Sequence, residues 1–393
     1  MTKFLKMKND KKLEMIIGLP KEVKIKENRV ALKPSDVEVL FSAGHKVVVE
    51  KNAGYGAGYP DGEYENAGAR IVSTAKEAYN ADIIIKVKEP TTQEYELLKE
   101  GSILFTYLHL AASEETKELT KVLLEKKITG IAYETVENKK RELPLLKPMS
   151  LIAGQLAIDY GARFLQTFQG GRGMLVGEVE GAEPTQVVIL GGGNVGYGAA
   201  IKAAGTRAKV AILDINPQKV EQLKKQFKKV NKLYNNIEVV QSDDTKIREY
   251  IKKADLLVGA ILLPGGKAPK IVKKEMIQSM KDGAVIVDVA IDQGGCTELS
   301  RPTTHEEPTY KEYEKIFCCI TNMPGSVART STQALTKQTF PYLLTLANKG
   351  LKKALKDKGF AKGMNTYKGF ITYNAVSESL GMKDQYKSLE ELI

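Results

Sequence analysis

The sequence of 393 residues contains little cysteine and little histidine, three of each. Cys296, Cys318 and Cys319 are poor material for a disulfide framework, because the last two are adjacent in an apolar segment. The three histidines and three cysteines also fall at no spacing typical of zinc ligands. We therefore expect a reducing, cytoplasmic location and no metal site.

Long apolar runs are missing as well. The run Leu256–Leu263 stops at Pro264 and is far shorter than the about 20 residues that a membrane-spanning helix needs. The apolar stretch Met15–Leu19 is likewise too short for the core of a signal peptide. With 42% hydrophobic and 27% charged residues and no low-complexity tract, the composition is typical of a globular protein without a membrane partner.

The formal net charge is +11, yet the lysines lie mostly in helical runs where they alternate with acidic or apolar residues, such as 219–232 and 349–358. This pattern is typical of solvated helix faces, and we favour it over a nucleic-acid footprint. A net positive field would still help to attract an anionic dinucleotide and a carboxylate substrate.

The first part of the chain has the pattern of a parallel sheet with helical crossovers, because short apolar runs alternate with segments of helical periodicity. These runs are Met15–Gly18, Lys46–Glu50, Ile83–Val87, Ile103–Tyr107 and Ile128–Ala132. Met149–Phe168 then predicts one long connecting helix.

Six further strands are expected at Gln186–Leu190, Lys209–Leu213, Ile237–Gln241, Asp255–Ala260, Ala284–Ala290 and Lys315–Ile320. Six strands suit a doubly wound nucleotide-binding sheet. After about residue 328 the pattern is helical only, and these helices are expected to return to the first domain. We predict an α/β fold with two Rossmann-like domains: residues 1–143 with 329–393, and residues 144–328.

The strongest single motif is a glycine-rich loop after the strand Val187–Leu190. In the G-x-G-x-x-G interpretation the glycines are Gly191, Gly193 and Gly196, with Asn194 and Val195 between the last two. The glycines would allow a tight turn, approach of a pyrophosphate to the backbone, and close packing of helix on strand.

The context of this loop strengthens the motif, because the next strand, Val210–Leu213, ends in Asp214. A carboxylate at this position binds the adenosine ribose hydroxyls and would repel a 2′-phosphate. The following residues supply no arginine that could bind such a phosphate. NAD is therefore the expected cofactor rather than NADP.

Polar residues follow several of the predicted strands, at the end of a parallel sheet where ligands bind. They are Arg29, Lys88 and His109 in the first half, and Asp292 and Asn322 in the second, with Met323 directly after Asn322. Arginine and lysine would hold the carboxylate or carbonyl oxygen of a small amino or keto acid, while histidine and aspartate would exchange protons. Taken singly, each charge could instead be a solvated loop residue or a cap, and the histidine a buried, hydrogen-bonded imidazole.

From about residue 15 to 382 the sequence resembles the alanine dehydrogenases. The resemblance rests on the motifs Glu27–Leu32, Lys86–Pro90, Leu104–Ala112, Asp288–Cys296 and Asn322–Gly325. It implies reversible, NAD-dependent oxidative deamination of L-alanine to pyruvate and ammonia by a protein that commonly assembles as a homohexamer. It also implies two Rossmann-like domains, the first completed by the C-terminal helices.

By the same resemblance, Arg29 and Lys88 would bind the substrate, His109 and Asp292 would be the catalytic pair, and Asn322 would help to hold substrate and nicotinamide. Besides the glycine loop and Asp214, the resemblance assigns dinucleotide contacts to Ser150, Lys219, Ser242, Ile261, Leu262, Val289, Ala290, Ile291, Asp292, Arg301 and Met323.

Two features depart from the family pattern: a lysine-rich N-terminal extension of about a dozen residues, expected to be a disordered tail, and Leu151, where relatives commonly carry an acid. The alternatives are the NAD-binding module of a transhydrogenase, which should lack an organised substrate pocket, a related amino-acid dehydrogenase with a longer substrate, and a non-enzymatic protein that retains the fold.

Overall fold

The computed structural model describes residues 13–111, 116–230, 234–261 and 268–393, so the N-terminal extension lies outside the described residues. The chain forms two compact units. The first unit combines the described residues up to Leu146 with Val327–Ile393, and the second unit is Lys147–Ser326. Each unit is built on one mostly parallel sheet, which confirms the predicted α/β class with two Rossmann-like domains.

The sheet of the first unit has the strand order β15-β14-β6-β5-β4-β1-β2-β3, numbered along the whole chain. Its strands are β1 (Ile16–Leu19), β2 (Lys46–Glu50), β3 (Arg70–Val72), β4 (Ile83–Ile85), β5 (Ile103–Thr106), β6 (Thr129–Ala132), β14 (Met364–Tyr367) and β15 (Phe370–Ile371). The first six are parallel to one another. Both β4 and β5 are buried along their length, as expected for strands covered on both faces.

The expectation of a purely helical C-terminus is wrong. β14 pairs antiparallel with β6, and β15 pairs antiparallel with β14. The Thr366 hydroxyl reinforces this edge, since it accepts the Gly130 N–H at 3.1 Å and donates to the Ile128 carbonyl at 3.0 Å. These strands have four and two residues, and the β6 partner of β14 lies more than 230 residues away in the sequence. Such short strands have almost no periodicity of their own.

The sheet of the second unit has the order β12-β13-β11-β10-β7-β8-β9. Its strands are β7 (Gln186–Leu190), β8 (Lys209–Asp214), β9 (Ile237–Gln241), β10 (Leu256–Gly259), β11 (Val285–Asp288), β12 (Tyr310–Glu312) and β13 (Lys315–Cys318). All six predicted strands are present, and in spatial order they follow the 3-2-1-4-5-6 arrangement of Rossmann folds. The three-residue β12, not predicted, adds an antiparallel edge.

Helices flank both sheets. In the first unit they are α1 (Pro34–Ser42), α2 (Asp61–Asn66), α3 (Ala75–Tyr79), α4 (Thr116–Glu125), α10 (Ala328–Lys349), α11 (Leu351–Ala354), α12 (Lys358–Ala361), α13 (Asn374–Ser379) and α14 (Leu389–Leu392). In the second they are α5 (Lys147–Phe164), α6 (Asn194–Gly205), α7 (Pro217–Val230), α8 (Asp244–Lys253) and α9 (Lys274–Gln278). Within the described ranges, no helix has the length and apolar character needed to cross a membrane.

Glycines bring α5 unusually close to α6, the helix that follows the glycine-rich loop. A Cβ atom built on Gly154 would lie 2.0 Å from the Val195 carbonyl oxygen, and one on Gly198 would lie 2.4 Å from the Leu151 carbonyl oxygen. Since the obstructing atoms are backbone, no rotamer change can relieve either clash. α5 therefore braces the helix whose N-terminus faces the predicted pyrophosphate site.

Gly154→Ala should destabilise the second unit by about 1–3 kcal/mol, because an added methyl overpacks this contact. The matched control is Gly205→Ala at the end of α6, where a Cβ meets no atom within 4 Å. That substitution should leave the free energy of unfolding unchanged or raise it by up to about 1 kcal/mol. Denaturant unfolding of both variants measures the difference, and equal responses would contradict the close packing described.

Candidate active site

In the first unit, the predicted substrate residues lie at the carboxyl ends of three neighbouring strands. Arg29 follows β1, Lys88 follows β4 and His109 follows β5, and these three strands are neighbours with parallel direction. Tyr107 links the group: its ring stacks on the His109 imidazole with centroids 5.6 Å apart, and its hydroxyl is electrostatically coupled to Arg29. The carboxyl ends of parallel strands thus bring together two cations and an imidazole.

Arg29 is held in one orientation by Glu27. The carboxylate accepts from Arg29 Nε at 2.7 Å and from Nη2 at 2.5 Å, and it also accepts the Arg29 backbone N–H at 3.1 Å. The two side chains are 2% and 0% exposed. A bidentate pair of this kind fixes the plane of the guanidinium before any substrate carboxylate arrives.

His109 adopts a left-handed backbone conformation, with φ of +51°. Glu134, which follows β6 in a 3-10 turn, accepts the His109 N–H at 2.5 Å and the Leu108 N–H at 3.2 Å. Positive φ costs a non-glycine residue of order 1 kcal/mol, so it persists only where neighbours impose it. Glu134 supplies that constraint and fixes the position from which the imidazole projects.

Glu89 orients the imidazole itself. Its Oε2 lies 3.2 Å from His109 Nδ1, and its other oxygen contacts the Lys24 ammonium. Burial would raise the pKa of the Glu89 carboxyl, but the hydrogen bond and charge of His109, with the charges of Lys24 and Lys88, outweigh it and lower the pKa from 4.5 to about 2. A carboxylate on Nδ1 favours the tautomer protonated there and leaves Nε2 to exchange protons with a ligand.

The lowered pKa of Glu89 predicts an acid-dependent loss of stability. Because the folded-state pKa lies below the unfolded value, ionised Glu89 stabilises the fold by roughly 3 kcal/mol above pH 4.5. This contribution disappears as pH falls from 4.5 towards 2. The difference in free energy of unfolding between wild type and Glu89→Gln should therefore be largest near neutral pH and shrink in acid.

Denaturant unfolding at a series of pH values measures that difference. Glu118→Gln is a suitable control, since Glu118 is 64% exposed and pairs with Lys121 on a helix surface. This variant should differ little from wild type at any pH. A gap for Glu89→Gln that stays constant down to pH 2 would contradict the assigned pKa.

In the second unit, the three motif glycines have three different environments. Gly191 has φ of +103°, and a Cβ there would lie 2.7 Å from the Ala260 carbonyl oxygen. A Cβ on Gly196 would lie 1.9 Å from the Gly191 carbonyl oxygen, whereas one on Gly193 would meet nothing within 4 Å. The open space beside Gly193, directly before α6, is where a pyrophosphate can approach the backbone. The loop therefore fits a dinucleotide.

Asp214 ends β8 beside this loop. One carboxylate oxygen accepts the Gly192 N–H at 2.7 Å and the other accepts the Asn216 N–H at 2.8 Å. The Ser242 N–H, just after β9, donates to the Asp214 carbonyl at 2.9 Å. The carboxylate is thus oriented by the backbone at the position that binds ribose hydroxyls in this fold.

The other predicted dinucleotide residues lie mostly at the carboxyl ends of the strands. Asn194 and Val195 begin α6, Ser150 is in the first turns of α5, Lys219 is in the first turn of α7, Ile261 follows β10, Val289–Gln293 forms a 3-10 turn after β11, and Met323 begins a 3-10 turn after β13. The Arg301 guanidinium instead stacks on the Tyr310 ring, 3.9 Å from its centroid. Leu262, and Ala112 of the motif 104–112, lie outside the described residues.

The predicted catalytic carboxylate, Asp292, is exposed on the 3-10 turn after β11. This turn is anchored by the fully buried Asp288, which accepts the N–H groups of Ala290 at 3.1 Å and Cys296 at 2.8 Å and the Ser300 hydroxyl at 2.5 Å. Asn322 follows β13 with φ of +58°. Strand ends therefore carry both residues, as expected.

The cysteines and His45 have structural surroundings. Burial raises the pKa of the Cys318 and Cys319 thiols to about 12 and that of Cys296 above its ordinary value, so the thiolate form is disfavoured in all three. His45 is buried between the Met15 N–H and Asn348. Among the described residues, no group of histidine, cysteine, aspartate and glutamate side chains could hold a metal ion.

Sequence reasoning missed the carboxylates that position the predicted residues. Glu27, Glu89 and Asp288 lie inside quoted motifs, so proximity in sequence to Arg29, Lys88 and Asp292 was a usable signal. Glu134 lies outside every motif, and its role is visible only from the neighbouring strands.

Comparison with known proteins agrees with this architecture. The family described as alanine dehydrogenase/PNT, N-terminal domain, matches residues 18–153, and its C-terminal counterpart matches residues 157–374. An alanine dehydrogenase of Methanococcus maripaludis is 53% identical over 368 residues, 93% of this chain and 96% of the relative. Alanine dehydrogenase 2 of Staphylococcus aureus strain USA300 is 46% identical over 381 residues, 96% of this chain and all of the relative.

Two solved structures are also similar. An L-alanine dehydrogenase superposes with a TM-score of 0.88 at 47% identity, covering 93% of this chain and 99% of that chain. A transhydrogenase from Sinorhizobium meliloti superposes with a TM-score of 0.77 at 26% identity, covering 92% and 99%. Matches to both domain families, and to relatives along almost the whole length, show that the chain belongs to the alanine dehydrogenase family.

Proposed function

We propose that this protein catalyses the reversible oxidation of L-alanine, with NAD and water, to pyruvate, ammonium, NADH and a proton. The observation that carries the proposal is the set Arg29, Lys88 and His109 at one sheet edge of the first unit, two cations and an oriented imidazole. Family membership supports the same activity. A small 2-amino acid offers the carboxylate and amine that such a set recognises.

Substrate binding is assigned to the first unit, residues 1–143 with 329–393, and dinucleotide binding to residues 144–328. Arg29, with its plane fixed by Glu27, binds the substrate carboxylate, and Lys88 binds carboxylate or carbonyl oxygen. Asn322 holds substrate and nicotinamide. When bound, NAD supplies a nicotinamide ring that accepts the hydride from Cα.

His109 and Asp292 manage the protons in this proposal. Oxidation at Cα first requires a neutral amine, so one of the two bases removes an ammonium proton. Loss of the hydride from Cα then leaves an iminium ion, which takes up water as one proton is removed from that water. The carbinolamine loses ammonia when its nitrogen accepts a proton and its hydroxyl gives one up, which leaves pyruvate. Nε2 of His109 suits these transfers because Glu89 occupies Nδ1.

The dinucleotide is assigned to the glycine loop, Asp214 and the strand-end residues named above. Gly193→Val tests this assignment, because its Cβ would project into open space rather than into protein. Folding should be nearly unaffected, whereas the KM for NAD should rise at least about tenfold as the side chain blocks the pyrophosphate. Initial rates at varied NAD, with thermal unfolding alongside, measure both effects.

Gly196→Val is the matched control for that experiment. Its Cβ would lie 1.9 Å from a backbone oxygen, so this variant should fail to fold rather than lose NAD affinity selectively. An unchanged KM for NAD in Gly193→Val would exclude the pyrophosphate from this loop.

The transhydrogenase likeness supports a second candidate, a module that binds NAD and exchanges hydride with another dinucleotide. The two activities differ in one assay: initial-rate NADH formation with the purified protein across a panel of L-amino acids, with NADP for comparison. Turnover of L-alanine with NAD supports the proposed function. Turnover of another amino acid only would change the substrate, and NAD binding without turnover would favour the second candidate.

The assembly is proposed to be a homohexamer located in the cytoplasm and taking part in L-alanine catabolism. The resemblance to the alanine dehydrogenases, which commonly form hexamers, supports this assembly, and the three buried thiols suit a reducing compartment. Light scattering coupled to gel filtration measures the mass of the assembly directly.

A further inference from the structure

The motif 86–90 contains a second lysine, Lys86, two residues before the proposed substrate residue Lys88. Lys86 is fully buried, and its Nζ is 2.8 Å from Glu94 Oε1 and 3.2 Å from Glu22 Oε2; both glutamate side chains are 5% exposed. The buried Tyr79 hydroxyl donates to Glu94 Oε1 at 2.7 Å. We call Lys86, Glu22 and Glu94, with Tyr79, the Lys86 cluster.

The Lys86 cluster holds two carboxyl groups against one ammonium. Burial raises the pKa of the Glu22 carboxyl above its ordinary value. Burial acts in the same direction on Glu94, but the charge and hydrogen bond of Lys86, the Thr91 N–H and the Tyr79 hydroxyl prevail and lower the pKa. Buried ion pairs of this kind are often no more stabilising than apolar residues of similar volume. Their presence therefore calls for a role beyond general stability.

Glu22 accepts backbone hydrogen bonds at the start of the segment that carries Lys88. Its Oε1 accepts the Val87 N–H at 2.6 Å and the Lys88 N–H at 3.4 Å. On the other side, the residues just after β4 remain hydrogen-bonded to the residues just after β5, since the Tyr107 N–H donates to the Val87 carbonyl. The β1–β4 register ends at Ile84, so Glu22 takes the place of a neighbouring strand for the N–H groups beyond it.

Glu94 accepts hydrogen bonds from Thr91 at the other end of this segment. Its Oε2 accepts the Thr91 N–H at 2.7 Å and the Thr91 hydroxyl at 3.1 Å, closing a capping box. Lys86 joins Glu94 to Glu22 through one ammonium group. Between the two attachment points lie Lys88 and Glu89, one proposed to bind substrate and the other oriented on His109.

We propose that the Lys86 cluster positions the segment 87–91, so that Lys88 reaches the substrate and Glu89 reaches His109 in fixed geometry. Glu22 is the principal positioning residue of the cluster. Lys86 acts through its ion pairs with Glu22 and Glu94 and does not contact the substrate. The inference rests on the proposed function, since it concerns how that site is held. A misplacement of about 1 Å at such a site costs about 100-fold in rate.

Glu22→Ala and Glu22→Gln test this role. The alanine variant loses the acceptor for the Val87 and Lys88 N–H groups, so kcat/KM for L-alanine should fall about 100-fold while the KM for NAD stays near the wild-type value. The glutamine variant keeps an oxygen acceptor of the same reach and should recover most of the loss. Selective loss for alanine with rescue by glutamine supports the proposal. Equal loss for alanine and NAD, or no loss, overturns it.

Lys86→Met, with Lys315→Met as its matched control, separates positioning from simple burial of a charge. Lys315 is also a buried lysine, 4% exposed and paired with Asp282 at 2.7 Å, but it lies in the second unit at β13. Both variants should unfold at lower temperature. Only Lys86→Met should raise the KM for L-alanine, and an equal rise in Lys315→Met would overturn the proposal.

Should Glu22→Ala fail to fold, Glu22→Asp serves instead, because it keeps the charge beside Lys86 but shortens the reach to the N–H groups. A raised KM for L-alanine at unchanged melting temperature supports the proposal, and an unchanged KM overturns it. Wild-type protein in the same assay separates failure of the proposed function from failure of the positioning role. An inactive wild type refutes the proposed function, whereas an active wild type with an unaffected aspartate variant refutes only the positioning role.

Discussion

Replacing His109 by glutamine is expected to lower kcat for L-alanine oxidation by about 10²- to 10⁴-fold, the range typical of a lost general acid–base group. Glutamine has a side chain of similar length, and the backbone N–H of residue 109 still donates to Glu134, so the position from which the side chain projects is kept. The amide cannot exchange a proton near neutral pH, so proton transfer at this position should be lost. Initial rates of NADH formation at saturating L-alanine and NAD measure kcat.

His45→Gln is the control for this experiment. His45 is buried in the same unit, but it joins β1 to α10 through the Met15 N–H and Asn348. Its loss should lower the melting temperature and leave kcat nearly unchanged. Near-normal turnover in His109→Gln would remove this residue from the catalytic assignment.

Removing Arg29 alone is expected to damage folding before it reports on substrate binding. Arg29→Ala leaves the Glu27 carboxylate, 0% exposed, without its bidentate partner, and an uncompensated charge of this kind costs about 3–5 kcal/mol. The double variant Glu27→Gln with Arg29→Met removes both charges and keeps an oxygen acceptor for the backbone N–H at residue 29.

In the double variant, the KM values for L-alanine and pyruvate should rise about 10- to 100-fold, because charge-assisted hydrogen bonds to the carboxylate are lost. The KM for NAD should change little, since its proposed site lies on the other unit. Glu27→Gln alone should show an intermediate KM for L-alanine, because Arg29 keeps its charge but loses its fixed orientation. Parallel increases for all three ligands would show that the arginine acts on the fold rather than on the substrate.

The sequence predicted those parts of the fold that are encoded locally. The central strands contain continuous apolar runs, such as Val187–Leu190 and Val285–Val287, and all six strands predicted in the second half are present. The elements it missed, β3, β12, β14 and β15, have two to four residues each. β14 depends on pairing with β6, more than 230 residues away, whereas β12 and β15 each form a short hairpin with the adjacent strand. Strands of so few residues carry almost no alternating pattern of their own. The long helix was predicted to reach residue 168 but ends at Phe164.

The site divides in a similar way. Arg29, Lys88, His109 and Asp214 were predictable because parallel strands place their following residues at a common edge. The groups that orient them were not, since Glu134 and Glu22 act through side-chain reach across neighbouring strands. The positive φ of His109 also has no sequence signature, because the chain imposes it from outside the residue.

The pairing of β14 with β6 in the sheet of the first unit also sets an order of events during protein synthesis. β6 is made early, but its partner β14 is separated from it by more than the length of the entire second unit, as the contact between Thr366 and Gly130 shows. The second unit is continuous in sequence, so it can complete its sheet on the ribosome while β6 still exposes an unpaired edge. The unit that carries the proposed substrate residues is therefore finished last, and until β14 is made the edge of β6 presents unpaired backbone N–H and C=O groups to other chains.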